Sequence, residues 1–133
     1  MQHIETIQSS GRTLAIIVRH GFQPNETTFV TEESMTQQVG FIVYQAGGEV
    51  PRHTHRRIER HLDNTAEVII VRKGACEIDF YTDNQEPVAT ARAEAGDCIV
   101  LVAGDHGFRM IEDTVLLEVK QGPYPGCDEK VRF

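Results

Sequence analysis

The sequence predicts a single all-β domain of mostly antiparallel strands, either a sandwich or a barrel. Its apolar residues occur in short clusters of strand length that are rich in Val and Ile. Turn residues such as Gly, Asp and Asn separate these clusters about every ten residues, which is typical of antiparallel all-β folds. The 133 residues suffice for one domain of ordinary size and not for two, so we expect residues 1–133 to share one core.

The predicted strands follow the apolar clusters along the chain. They lie at 14–18, 40–44, 67–71, 76–81, 98–102 and 114–119, with one more expected after His106. Only residues 31–38 have a helical pattern, beginning at a possible cap, Thr31, with too few apolar residues for more than one or two turns. The prolines and glycines of residues 121–126 exclude regular structure there.

Charge and hydropathy exclude two classes of partner. The chain has 13 basic and 20 acidic residues and a formal net charge of −7, which repels a polyphosphate backbone, so we expect no nucleic-acid partner. The longest apolar runs, at 14–18 and 99–103, are far shorter than the roughly 20 residues that a membrane-spanning helix needs. We therefore expect no membrane partner.

The N-terminus and the cysteines favour a reducing compartment. Residues 1–5 have neither a basic start nor an apolar stretch behind them, so no secretory signal is predicted and a cytoplasmic location is expected. Cys76, Cys98 and Cys127 are odd in number and have no CxxC spacing, which indicates reduced thiols rather than a disulfide framework.

Two histidines form the first candidate metal-binding feature. If residues 53–55 are a strand, alternation places His53 and His55 on the same face, about 6–7 Å apart. Each neutral imidazole offers a nitrogen lone pair, so the pair could hold one metal ion. The alternative is a pair of surface or hydrogen-bonded histidines.

A carboxylate and a third histidine complete the candidate set. Glu67 opens an apolar strand, where burial without a partner would be costly and a cation would offset that cost. His106 follows a turn at the entry of a later strand. Alternatively, Glu67 stays solvated or pairs with an arginine, and His106 is an ordinary loop residue. Three imidazoles and one carboxylate would suit a divalent first-row metal with open positions.

The spacing of these residues resembles the first motif of the cupin superfamily. That motif is Gly, five residues, His-x-His, a loop, Glu, six residues, Gly, and it is matched by Gly47, His53, His55, Glu67 and Gly74. The loop, at 56–66, is longer than the usual three or four residues, and insertions in such connections are tolerated. Glu59 fits the shorter spacing but has no glycine seven residues on.

The second cupin motif is matched in part. Gly96 and Gly104 fit it, Val102 replaces a proline, His106 comes one residue early, and Met110 stands where an asparagine is expected. The resemblance implies a double-stranded β-helix, the cupin jelly-roll barrel, with its core at about 38–120. Strands from 12–30 and the tail 121–133 would pack on that barrel.

The same resemblance implies the metal site and its cofactor. Its ligands would be His53, His55, Glu67 and His106, and the ion would be a divalent transition metal: Mn, Fe, Ni, Co or Zn. The fold hosts isomerases, epimerases, dioxygenases, decarboxylases and non-catalytic binding modules, so it does not specify the reaction.

A basic segment beside the predicted site is a candidate for substrate binding. Residues 52–61 contain four of the 13 basic residues and three of the six histidines. Arg57, Arg60 and His61 could bind a carboxylate or phosphate of a small-molecule ligand. A solvated loop balanced by neighbouring acidic residues explains the same pattern equally well.

Alternation along the last two predicted strands assigns their faces. Phe108 and Met110 share a face with His106 and would line the cavity next to substrate, although plain core is the more common role for such residues. Glu118 and Lys120 share a face in the final strand, where we expect an outward charge pair.

Three functions are compatible with these features. The first is a metal-dependent enzyme, an isomerase, epimerase or dioxygenase, acting on a small anionic or sugar-derived substrate. A proton transfer there would use Glu67, His61 or a metal-bound hydroxide. The second is a non-catalytic barrel that binds a sugar or acid, and the third is a structural or assembly barrel. We also expect a homodimer, because residues 14–18 are apolar on both faces and sheet edges need covering.

Overall fold

The computed structural model describes residues 3–133, apart from the side chains of residues 127 and 128. Within this range it contains ten β-strands and one short 3-10 helix, Gly126–Glu129. The strands are β1 (Ile4–Ser9), β2 (Arg12–Val18), β3 (Thr28–Phe29), β4 (Gly40–Phe41), β5 (Glu67–Lys73), β6 (Ala75–Tyr81), β7 (Pro87–Glu94), β8 (Cys98–Leu101), β9 (Asp105–Met110) and β10 (Val115–Lys120). No helix in the described chain is long and apolar enough to cross a membrane.

The strands form antiparallel sheets, which confirms the predicted all-β class. One sheet has five strands in the order β1-β2-β8-β5-β10, and a second has three in the order β7-β6-β9. The two short strands β3 and β4 form a separate ribbon. All the pairings recorded for residues 3–133 are antiparallel.

The main core lies between the five-stranded and the three-stranded sheet. Its buried side chains come from both sheets, for example Ile17 and Ile99 from the first and Ile78 and Phe80 from the second. A second cluster, which includes Ile16 and Val100, lies on the outer face of the five-stranded sheet and is covered by side chains from residues 22–41. The central strands of the five-stranded sheet, β2, β8 and β5, are therefore buried on both faces.

This double burial corrects the reason given above for a homodimer. Ala15 and Ile17 of β2 point into the main core, while Ile16 and Val18 pack under residues 22–41 of the same chain. A strand that is apolar on both faces is typical of a sheet covered on both sides. The residues at 14–18 therefore need no second subunit to cover them.

Several local predictions differ from the structure. The cluster at 40–44 is a strand only at Gly40–Phe41, and residues 31–38 form turns and bends instead of a helical turn. The strands β1 and β7 were not predicted, because polar residues interrupt their apolar positions. The tail at 121–126, predicted to be irregular, is irregular up to Pro125, and the 3-10 helix begins at Gly126.

Glycines with positive φ mark three places where the chain crosses from one sheet to the other. Gly74 links β5 to β6, Gly96 precedes β8, and Gly104 precedes β9, with φ values of 89°, 92° and 73°. A side chain at Gly74 would collide with the backbone oxygen of Asp113, and one at Gly104 with that of Tyr81. These crossings therefore need glycine for both conformation and close approach.

A buried aspartate fixes the second of these crossings, the one at Gly96. Asp97 is 1% exposed and accepts hydrogen bonds from the backbone N–H groups of His20 and Glu94, at 2.8 and 2.9 Å, and from the Arg19 guanidinium at 3.1 Å. Burial alone would raise the pKa of Asp97, but these hydrogen bonds outweigh it and hold the pKa below its usual 3.8. The ionised group therefore stabilises the fold above pH 3.8, and that contribution is lost as the pH falls through its lower folded-state pKa.

The glycine crossings make a direct prediction. Gly74→Ala should lower the free energy of unfolding by at least about 3 kcal/mol, because it adds a backbone collision to the cost of a left-handed conformation. Gly11→Ala is the matched control, since Gly11 has a φ of 76° and open space around it, and should cost about 1 kcal/mol. Equal losses in urea unfolding of the two variants would show that close approach at Gly74 is unimportant.

Candidate functional site

A cavity of about 740 Å³ lies at one end of the space between the two main sheets. Its walls include Glu67 from β5, Tyr81 from β6, and His106 and Phe108 from β9, and the C-terminal residues 129–133 form another side. The cavity thus contains two of the four predicted metal ligands, Glu67 and His106.

Glu67 reaches this cavity because of the alternation of β5. Ile69 and Val71, two and four residues further on, point into the main core, so Glu67 points the same way at the end of that apolar row. Its side chain is buried, with the residue 9% exposed. The core therefore ends in a carboxyl group.

A second carboxyl group lies beside the first. Burial raises the pKa of Glu67 to about 7, and a hydrogen bond and repulsion from Glu118 on the neighbouring strand β10 add to the effect. Lys120 and Lys130 act in the opposite direction. The two glutamates therefore lie side by side as a carboxyl pair, in which Glu67 holds its proton up to about pH 7.

The position of Glu118 corrects the outward charge pair predicted from the sequence. Leu116 of β10 packs against the main core, so Glu118 and Lys120, two and four residues further on, share its inward face. Lys120 donates a hydrogen bond to Glu129 at 2.6 Å instead of pairing with Glu118. Glu118 is a site residue that the sequence analysis missed, and Leu116 as a core position is the signal that identifies it.

His106 faces the carboxyl pair from the other sheet. It is opposite Phe80 of β6 in the β6–β9 pairing, and its ring centroid is 5.8 Å from that of Phe108. The ring is accessible at the cavity mouth, yet the surrounding protein desolvates its charged form and holds its pKa below 6.5, although Asp105 and Glu118 favour the charged form. At neutral pH His106 therefore offers a lone pair.

The remaining two predicted ligands lie elsewhere. His53 and His55 belong to a segment, residues 42–65, that we call the arm; every residue of the arm is exposed and none is in a strand or helix. The two imidazole rings are neighbours, with centroids 5.1 Å apart, and His53 Nδ1 is 2.8 Å from the backbone oxygen of Pro51. The predicted strand at 53–55 is therefore wrong, because no strand among residues 3–133 pairs with this part of the chain.

The structure thus divides the predicted ligands into two pairs. Glu67 and His106 share the cavity, while His53 and His55 are adjacent on the arm and do not line it. Across the residues it describes, no group of three or more His, Cys, Asp or Glu side chains is arranged to hold a metal ion.

The predicted substrate-binding residues also divide between arm and cavity. Arg57, Arg60 and His61 are exposed on the arm, where His61 lies 3.4 Å from Glu59. Phe108 lines the cavity and packs against the core. Met110 is 50% exposed at the far end of β9 and is not a lining residue.

The cysteines have no reactive setting in the described residues. Cys76 and Cys98 are free thiols, and burial raises the pKa of both, that of Cys98 to about 11. Such thiols are poor nucleophiles at neutral pH. The side chain of Cys127 lies outside the described residues.

The raised pKa of Glu67 predicts how stability depends on pH. The protonated group stabilises the fold below pH 4.5, and this contribution is lost as the pH rises from 4.5 through about 7. In metal-free buffer, the free energy of unfolding of the parent, measured with urea, should decline between pH 4.5 and 8. Glu67→Gln should remove the part of that decline that is due to Glu67. Glu86→Gln, at an exposed carboxyl group, is the control and should follow the parent. Parallel curves for the parent and Glu67→Gln would contradict the assigned burial.

The comparisons with known proteins give no match: no protein-family model, curated protein or solved structure matches this chain. The resemblance to the cupin superfamily rests on the residues and spacings of the chain itself.

Proposed function

We propose that the chain is a metal-binding cupin, a double-stranded β-helix that acts on a small anionic or sugar-derived molecule. The ligands of the metal would be His53, His55, Glu67 and His106. The observation that carries this proposal is the buried Glu67 carboxyl group, which lies against a second carboxyl group and shares its cavity with an imidazole. Such a group of donors is suited to a divalent cation.

The glycines of the two spacing patterns support the proposed winding of the chain. Gly47, Gly74, Gly96 and Gly104 all have positive φ, between 73° and 92°. Three of them lie where the chain passes from one sheet to the other. Their spacing therefore follows from the conformations that such crossings require, as expected for a barrel wound from two sheets.

The donors fit a first-row transition ion in number and type. His106 and Glu67 offer one nitrogen and one oxygen ligand within the cavity, and the adjacent rings of His53 and His55 offer two more nitrogens. When bound, a divalent ion of Mn, Fe, Ni, Co or Zn would polarise a substrate oxygen as a Lewis acid. Glu118 would add negative charge beside these ligands.

The other residues of the cavity and the arm have roles that follow from their chemistry. Tyr81 and Phe108 line the cavity, and their aromatic rings would limit the access of water to a bound substrate. Arg57 and Arg60 on the arm would bind a carboxylate or phosphate group. Glu67 or Glu118 would exchange a proton with the substrate, as isomerase or epimerase chemistry requires. A dioxygenase reaction would use the same ligands.

Metal binding by purified protein tests the proposal. Isothermal titration with Mn²⁺, Co²⁺, Ni²⁺ and Zn²⁺ should show one ion per chain. Glu67→Gln, His106→Gln and His53→Gln should each weaken that binding by at least about tenfold, because each removes a ligand. His61→Gln is the matched control on the arm and should bind metal as the parent does.

Two results would contradict the proposal. One is a parent that binds none of these ions at micromolar concentration. The other is a parent whose affinity for the ion survives both Glu67→Gln and His106→Gln.

A further inference from the structure

One side of the molecule has two strand edges without a partner. In the described chain β9 pairs only with β6, and β10 pairs only with β5, so each is the last strand of its sheet. The outer backbone groups of an edge strand are free to pair with another strand. These two edges belong to the strands that carry His106 and Glu118.

On the opposite side of the molecule, a side chain joins the edge strands of the two sheets. There Arg19 donates hydrogen bonds at 2.6 Å both to Glu5 of β1 and to the backbone oxygen of Arg92 of β7. This guanidinium links the other two edge strands, β1 and β7, across the gap between the sheets. At the open side, where β9 and β10 lie, no side chain of residues 3–133 joins the two edge strands directly. The C-terminal residues lie there instead: Glu129 is bonded to Lys120 of β10, and the ring of Phe133 is 5.1 Å from that of Tyr81 of β6.

Apolar side chains remain exposed along the open side. They are about half exposed and lie on β10 and at the end of β9: Met110, Ile111, Val115, Leu117 and Val119. Residues 22–41 cover the outer face of the five-stranded sheet elsewhere. An unpaired edge with a row of exposed apolar side chains is a surface for strand addition.

The arm has the properties of a segment that could cover these edges. Its exposed apolar side chains are Ile42, Val43, Tyr44, Val50, Ile58 and Leu62. The hydrogen bonds and ion pair recorded for residues 46–63 have both partners within the arm, as for Gly48 with Gln45 and His61 with Glu59. If the 24 residues of the arm were extended as a loop, with twelve residues leading out and twelve leading back, the arm would reach about 40 Å. This is well beyond the roughly 13 Å radius of gyration of a domain of 100 residues.

Charge also favours contact between an arm and the body of this protein. The arm has four basic and three acidic residues, while the other 109 residues have nine basic and 17 acidic ones. The arm therefore carries a formal charge of +1 and the rest of the chain −8. Opposite charges favour the encounter of an arm with the body of another copy.

We propose that two copies of this chain exchange their arms, so that the arm of each copy pairs with β9 and β10 of the other. The arm of a single chain stands away from its own body, whereas a reciprocal exchange about a twofold axis covers the edges of both copies at once. This proposal extends the proposed function and rests on it. The metal site would then consist of Glu67 and His106 from one copy and the partner subunit's His53 and His55.

The first test is done without metal and measures the mass of the protein and the protection of the arm from trypsin. By light scattering the parent should be a dimer of about 30 kDa, twice the 14.9 kDa of one chain. Limited trypsin digestion followed by mass spectrometry should show slow cleavage at Arg52, Arg56, Arg57 and Arg60. Leu117→Lys, which places a charge on the β10 edge, should raise the dimer dissociation constant at least about tenfold and expose those arginines to cleavage.

Asn84→Lys is the control, since it adds the same charge at an exposed loop between β6 and β7 and should leave the dimer intact. A parent of 15 kDa would overturn the exchange, whether its arm is cleaved or protected. A dimer whose arm is cleaved as fast as in Leu117→Lys would overturn it as well.

The second test shows which copy supplies the histidines. One chain carries His53→Ala and His55→Ala, the other carries Glu67→Ala and His106→Ala, and the heterodimer is purified through two different tags. With exchanged arms, one of its two sites has all four ligands, so it should bind one Co²⁺ per dimer while each doubly substituted homodimer binds none.

The outcomes separate the two proposals. A heterodimer without Co²⁺, when the parent binds two per dimer, would show that each arm serves its own chain and would overturn the exchange alone. A protected dimer in the first test whose parent binds no metal would overturn the metal site and leave the exchange supported.

Discussion

An acidic group at the end of an apolar core is the constraint on which the site depends. The alternation of β5 buries Ile69 and Val71 and, by the same geometry, turns Glu67 inward. A buried carboxylate needs a proton or a cation nearby, because water no longer solvates its charge. The neighbouring Glu118 makes the negative charge of Glu67 still more costly. Lys120 compensates little of that charge, because its ammonium group is bonded to Glu129.

The same region of the molecule is where the sheets lack partners. The strands beside the carboxyl pair and His106 are edge strands, and the arm that follows β4 carries two neighbouring imidazoles together with exposed apolar side chains. Pairing of the arm with those edges would bury the apolar side chains and satisfy backbone groups, and it would also bring nitrogen ligands to the oxygen ligands. The same pairing would then both stabilise the dimer and complete the metal site.

Much of the fold is predictable from the sequence because its strands are short apolar clusters bounded by turns. Clusters such as 67–71 and 98–102 agree closely with β5 and β8, and Gly74 and Gly104 occur where the backbone requires glycine. In contrast, β7 alternates small apolar with polar residues too weakly to be recognised. Its formation depends on pairing with β6 across the turn at residues 82–86, and the residues of β7 alone do not reveal that pairing.

The candidate site is less predictable for the same reason. Glu67 could be assigned an inward direction because its strand is continuous and apolar. The direction of Glu118 depends on knowing that Leu116 is in the core, and the positions of His53 and His55 depend on whether a strand pairs with the arm. Alternation assigns a face only to residues that are in a sheet. The sequence therefore identifies the histidine pair as a candidate ligand pair, but it does not predict where in the fold the pair lies.

The most direct measurement of the central claim is X-ray absorption spectroscopy of the protein loaded with one Co²⁺ per chain. The fine structure counts imidazole ligands through the scattering of their outer ring atoms. Our account predicts three imidazoles and at least one carboxylate oxygen around the ion. A shell of water and carboxylate oxygens with one imidazole or none would contradict it.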